Sequence, residues 1–197
     1  MARTKEFDPQ EVLQKAVCTF WKHGYKGTSI SDLEKAIGIT RFSIYNTWGD
    51  KEGLLLASFN LYARWTTEKL EKELSGGIED IERFIPTLAD PEREPFEGRY
   101  GCLIVNTILE APGMSQKVID EIKAYRKLMK QAFLDALRRS QEWGELREDL
   151  NLDDCADYLL STINGLVTTN RLEQDKKASA PAVRVLLDVL KSWKVKD

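Results

Sequence analysis

The chain is short of histidine, cysteine and long apolar runs, and each shortage removes a class of function. One histidine, His23, leaves little material for a His-based metal site or a catalytic triad. At the end of a helix, where the pattern puts it, a cation suits the helix dipole, which is the simpler role. Three cysteines, Cys18, Cys102 and Cys155, form an odd, widely spaced set with no Cys-x-x-Cys pair. They fit a reducing, cytoplasmic setting better than a disulfide framework. The longest strongly apolar stretch, Cys102 to Leu109, is broken by Asn106 and Thr107 and is far too short to span a bilayer. Met1 to Asp8 is polar and lacks an apolar signal core. The glycines at 24, 27 and 38 have neither P-loop nor dinucleotide-binding spacing. Glu71 with Glu73, and Glu92 with Glu94, sit in charged stretches and make no convincing acid–base pair. No cofactor, metal or membrane partner is expected.

What is present reads as globular. The 197 residues are 42% hydrophobic and 31% charged, enough to bury a core as one long domain or as a small domain fused to a larger one. Six prolines and 12 glycines leave room for long helices. The net charge of −3 argues by itself against a nucleic-acid partner, but it is uneven. Residues 1–51 carry eight Lys/Arg against six Asp/Glu, a local +2 that leaves −5 for the rest.

Helix signals run the length of the chain. Asp8 is a good N-cap, Pro9 suits the first helical position, and Leu13, Ala16, Val17 and Phe20 repeat on one face until Gly24. A short helix starts at Ser29 or Ser31, since both Ser29 with Asp32 and Ser31 with Glu34 match a capping box. Gly38 ends it. Thr40 caps a third helix with Ile44 and Trp48 facing inward. Longer helices are expected over Lys51 to about Leu74, Glu79 to Leu88, Ser115 to Glu142 and Asp153 to Arg171, with a last one that has Pro181 just inside its start. Asp90 to Gly101 reads as a loop. Cys102 to Glu110 fits either a buried helix or a strand.

Two short helices joined by a tight glycine turn, behind a longer one, form a helix-turn-helix pattern. The pattern also occurs in helical proteins that bind no DNA, so an all-helical enzyme and a dimeric interaction module stand beside it as readings. The segment Gly24-Tyr25-Lys26-Gly27-Thr28-Ser29-Ile30-Ser31-Asp32-Leu33, then Ala36-Ile37-Gly38-Ile39-Thr40 and Ser43-Ile44-Tyr45, resembles the TetR family of transcriptional regulators. Lys51-Glu52-Gly53-Leu54-Leu55 looks like the opening of that family's fourth helix, and the resemblance covers about residues 8 to 56.

The resemblance implies an all-α protein with two parts. Residues 1–50 would be a three-helix DNA-binding head, and residues 51–197 a larger helical body for effector binding and dimerisation. It implies a homodimer on double-stranded operator DNA, repression, and release by a small-molecule effector. Thr28, Tyr45 and Lys51 match family positions that contact phosphate. A recognition helix offers side chains near its N-terminus to base edges, which makes Thr40, Arg41, Phe42, Ser43 and Asn46 the expected readers. Phe42 stands where the family favours a small residue, and Trp48 where Phe or Val is usual. Effector-site candidates, chosen as apolar walls with a few polar handles, are Trp65, Phe84, Tyr100, Cys102, Asn106, Tyr125, Met129, Phe133 and Asn164. Each could equally be core. Cys102 could be a small packed hydrophobe or, in the first turn of a helix, a thiolate that senses an oxidant or electrophile. Leu159, Leu160, Ile163 and Val167, with Val183, Leu186, Leu187 and Leu190, form the apolar stripe expected to pair two chains.

Overall fold

A computed structural model describes residues 7–87, 101–173, 175 and 177–195. Among these residues the protein is all-helical. Its helices in chain order are α1 (Pro9–His23), α2 (Ile30–Ile37), α3 (Arg41–Trp48), α4 (Lys51–Glu73), α5 (Ile78–Thr87), α6 (Leu103–Ile108), α7 (Gln116–Glu142), α8 (Leu152–Glu173) and α9 (Ala180–Trp193). The only strand-like pairing among them is an isolated antiparallel bridge between Leu146 and Lys194. The stretch Cys102 to Glu110 resolves as the short helix α6. The loop expected over Asp90 to Gly101 lies, but for Gly101, outside the described residues.

The chain divides into two compact units. The described residues of 1–64 and 95–122 form one, and those of 65–94 and 123–197 the other. In the first unit α1 packs on α2 and α6, and α2 packs on α3. The buried face of α1 carries Val12, Ala16, Val17, Phe20 and Trp21, whereas Leu13 is only half-buried. Leu33 and Ile37 of α2, Ile44 of α3, and Leu54, Leu55, Phe59 and Tyr62 of α4 are also buried. The rings of Trp21 and Tyr62 meet edge-on at 5.4 Å. Trp48, expected inside, is half-buried and lies 6.1 Å from the ring of Phe7.

The second unit is built on one hydrophobic cluster. Leu70, Leu74, Ile78, Ile81 and Phe84 meet Phe133, Leu137, Leu159, Ile163, Leu186 and Leu190 there, with Trp193 at its edge. The stripe on α8 and α9 expected to pair two chains is therefore largely spent inside the subunit. Leu159, Leu160, Ile163, Val183, Leu186 and Leu190 are all buried in a single chain. The large apolar side chains that α8 and α9 leave exposed are others: Tyr158, Leu172 and Val185.

Candidate nucleic-acid interface

The turn between α2 and α3 is fixed by local chemistry. Ser29 caps α2: its hydroxyl accepts the Asp32 N–H at 3.1 Å, and Asp32 accepts the Ser29 N–H at 2.9 Å. The Ser29 hydroxyl also donates to the Asp32 carboxylate at 2.5 Å, and this bond, then the one from the Ser29 N–H, holds the Asp32 carboxyl below its ordinary value. This box, not the one from Ser31 to Glu34, starts the helix. Gly38 ends α2 at φ 77°, a left-handed conformation that glycine adopts without steric cost. Thr40 Oγ1 then accepts the Ser43 N–H at 3.3 Å and starts α3.

Of the eight residues of α3 only Ile44 is buried. The outward side of its first two turns carries Arg41 (71% exposed side chain), Phe42 (72% exposed), Tyr45 and Asn46. Positions 42, 45 and 46 share one face by i, i+3, i+4 spacing. Thr40 and Ser43 sit at the cap, their hydroxyls 3.3 Å apart.

Thr28 and Lys51 sit differently. Thr28 is buried, and its hydroxyl donates to Gly24 O at 2.5 Å. Lys51 Nζ donates to Tyr25 O and Thr28 O, both at 2.9 Å, and lies 4.1 Å from the centre of the Tyr25 ring. Burial pushes the Lys51 ammonium below its ordinary pKa, and the charge of Glu110 opposes that shift. Burial also raises the Tyr25 phenol, with the charges of Glu52 and Asp50 adding to it.

Two carboxylates that the sequence reading did not assign to the interface support this region. Glu110, 85 residues beyond Tyr25, accepts the N–H groups of Tyr25 at 3.1 Å and Lys26 at 2.6 Å. Gly24, at φ 74°, lets it approach, because a Cβ there would collide with Glu110 Oε1. Lys26 Nζ adds a bond to Pro112 O at 3.1 Å. Glu34 on α2 accepts the Arg41 N–H at 2.5 Å. Neither role has a local signal: Glu110 needs a partner far away in sequence, and Glu34 looks like a capping residue for its own helix.

The comparisons with known proteins agree with this geometry. A family model described as "Bacterial regulatory proteins, tetR family" matches residues 12–58, and one described as "Tetracyclin repressor-like, C-terminal domain" matches residues 77–186. The chain is 32% identical to the uncharacterized HTH-type transcriptional regulator YezE of Bacillus subtilis (strain 168), over 96% of this chain and 100% of that protein. The chain belongs to the TetR family. It is a DNA-binding transcriptional regulator, and its relatives are regulators rather than enzymes. The HTH-type transcriptional repressor ComR of Escherichia coli (strain K12) is 26% identical over 86% of this chain and 82% of its own length. A cysteine mutant of the TetR-family regulator CifR, solved with 26-base-pair operator DNA, superposes with a TM-score of 0.85 at 25% identity, over 94% of this chain and 98% of that one.

In this TetR-family chain the effector-site candidates fall in both compact units. Cys102 and Asn106 lie in the first; Trp65, Phe84, Tyr125, Met129, Phe133 and Asn164 lie in the second. Tyr100 lies outside the described residues. Phe84 and Phe133 come together at 6.0 Å between ring centres, within the core, and Met129 packs against the same cluster. Lys69 Nζ sits 4.9 Å from the Trp65 ring. Tyr125, Asn106 and Asn164 are half-buried. Cys102 is the N-cap of α6 rather than a first-turn residue, half-buried and making no side-chain cap bond.

Proposed function

We propose that this chain is a ligand-responsive repressor that binds a palindromic operator as a homodimer and is released by a small-molecule effector. The observation that carries the reading is the outer face of α3. It presents together, near the start of one helix, an exposed arginine, phenyl ring, tyrosine and asparagine, the groups that can reach base edges and phosphate in a major groove. Arg41 can fork onto guanine O6 and N7, Phe42 can touch a thymine methyl, and Asn46 can pair with adenine. Tyr45 would grip phosphate. Thr28 serves by holding its turn. Lys51 holds the same turn through two of its three N–H groups, which leaves one for phosphate.

The dimer face would be the opposite stripe of α8, with Tyr158, Ser161, Gly165, Thr168 and Leu172 exposed at helical spacing, together with Val185 on α9. Gly165 has open space around it, so a partner helix could approach closely. The effector would be a small molecule held by half-buried polar side chains such as Tyr125 and Asn164. The protein would work in the cytoplasm and perform no catalytic step.

A gel-shift with the DNA upstream of the protein's own gene tests this. The expected result is a salt-sensitive shift on a palindrome whose half-sites lie roughly one helical turn, or a multiple of it, apart. Val185→Asp should give a monomer by light scattering and lose the shift. Failure of the wild type to select any duplex over random DNA would end the proposal.

A further inference from the structure

We propose that Glu34 is the positioning residue that aims Arg41 at a guanine edge. This rests on Arg41 being a base reader, as proposed above. Glu34 lies in α2, and its side chain is only 25% exposed. Its two carboxylate oxygens reach the same residue of the next helix. One accepts the Arg41 backbone N–H at 2.5 Å; the other lies 3.7 Å from Arg41 Nε. Its own backbone carbonyl meanwhile accepts the Gly38 N–H at 3.0 Å and closes α2. Glu34 is thus tied at both ends, and Arg41 is the first residue of α3.

The arrangement does two things that a free surface arginine would lack. It supplies an anion to the N-terminus of a helix whose own first turn holds no acidic residue. It also places a carboxylate on the Nε side of a planar cation, which leaves the terminal Nη1/Nη2 fork for O6 and N7 of guanine. A long side chain otherwise loses rotamer entropy when it binds. Restraining Arg41 beforehand removes part of that cost only where the fork finds its guanine. A negative charge so close to DNA also repels phosphate, so the device trades general affinity for selectivity.

The test uses the full-length protein. A duplex is selected from a random double-stranded library, and fluorescence anisotropy is then read on it, on all its single-base-pair variants and on random DNA. Arg41→Ala identifies the base pair that Arg41 reads. Glu34→Ala should reduce discrimination at that pair by about 5-fold or more, leave other pairs unchanged, and bind random DNA as well as or better than wild type. In an Arg41→Ala background it should change no base preference further. Glu34→Gln keeps an oxygen for the Arg41 N–H and loses the charge, so it should still melt cooperatively, at or slightly below the wild-type temperature, and its discrimination should fall between wild type and Glu34→Ala. The inference is overturned if Glu34→Ala and Glu34→Gln both keep full discrimination at the Arg41 pair, or if they weaken operator and random DNA alike. It also fails if their effect on base preference persists without the Arg41 side chain, or if Arg41→Ala alters no base preference. Failure of the wild type to select any duplex removes the DNA reading itself, a result distinct from an operator read by Arg41 without help from Glu34.

Discussion

Two helix connections in this molecule are held by the same device made from different materials. Helix ends leave backbone N–H and C=O groups without partners, and something must satisfy them. After α1, the Glu110 carboxylate takes the N–H groups of Tyr25 and Lys26, and the Lys51 ammonium takes the carbonyls of Tyr25 and Thr28. Between α4 and α5, Ser140 Oγ accepts the Ile78 N–H at 2.6 Å and Asp80 accepts the Gly76 N–H at 2.5 Å. Arg139 there donates to Gly76 O at 2.7 Å and to Leu74 O. Each connection thus has an acceptor for its donors and a cation for its carbonyls.

The settings differ. Ser140 is fully buried on the last turn of the 27-residue α7, one turn from core residues Ala136 and Leu137. Glu110 lies just beyond the six-residue α6 and is half-buried. The second connection is locked by packing and serves stability. The first is held by charged groups within reach of water, so changing it should alter the head more than the fold.

The most damaging way to break the comparison is Gly77→Ala. A Cβ at residue 77 would run into Ser140 Oγ and sit 3.1 Å from both Glu145 and Trp143. Overpacking there should cost about 3 kcal/mol, read as a shift of the urea midpoint at constant slope. A shift under a fifth of that would show that the connection yields and is not locked. Ser140→Ala should cost about 2 kcal/mol, because it strands the buried Ile78 N–H and removes the 2.6 Å bond to Glu145. Its folded fraction should bind operator with the wild-type Kd.

Glu110→Ala should behave the other way. Water can replace the carboxylate at half-exposed amides, so the melting temperature should move little. Ordering the connection again on DNA would cost about 1–2 kcal/mol, and Kd should rise roughly 5- to 30-fold on operator and random DNA alike. Equal Kd values with a large loss of stability would erase the distinction between the two connections.

Much of this was legible in the sequence because its signals are local. Asp8, Ser29, Thr40, Gly24 and Gly38 mark helix ends through the residue beside them, and the structure puts caps at each. On α3, spacing put Ile44 inward, where the structure has it, but also Trp48, which is half-buried; Tyr45 was picked out by the resemblance and not by spacing. What could not be read is what depends on partners far away. Glu110 meets Tyr25 only after 85 residues, and Ser140 meets Ile78 after 62. The apolar stripe of α8 and α9 was legible as apolar but not as inward. Periodicity says which residues share a face, not which surface the face meets, and here the second unit's own core took it. Cys102 to Glu110 was ambiguous because six helical residues are too few for a period of 3.6 to declare itself.

The smallest effect comes from charge that serves no orphan backbone group, and it isolates what charge contributes alone. In the second unit, Lys130 Nζ bonds Asp153 at 2.6 Å and Asp157 at 2.7 Å, and Arg126 bonds Asp157 at 2.9 Å. The Lys130 hydrogen bond, before any other cause, holds the Asp157 carboxyl below its ordinary value. The bonds to Asp153 and then Asp157 raise the Lys130 ammonium. A carboxyl depressed on folding contributes stability above its unfolded pKa, near 3.9, and loses it as pH falls through the lower folded value. An ammonium raised on folding contributes below about 10.4 and loses its share as pH rises through the higher folded value. Between these limits the network is constant. Asp157→Asn should therefore lower the melting temperature by the same small amount from about pH 5 to pH 9, less than any variant above, because surface pairs contribute little. The difference should shrink below about pH 4 and vanish once the wild-type carboxyl is protonated in both states. Thermal melts of the two proteins across that range decide it. A gap that persists at the lowest pH would mean that Asp157 acts through packing or polarity and not through its charge.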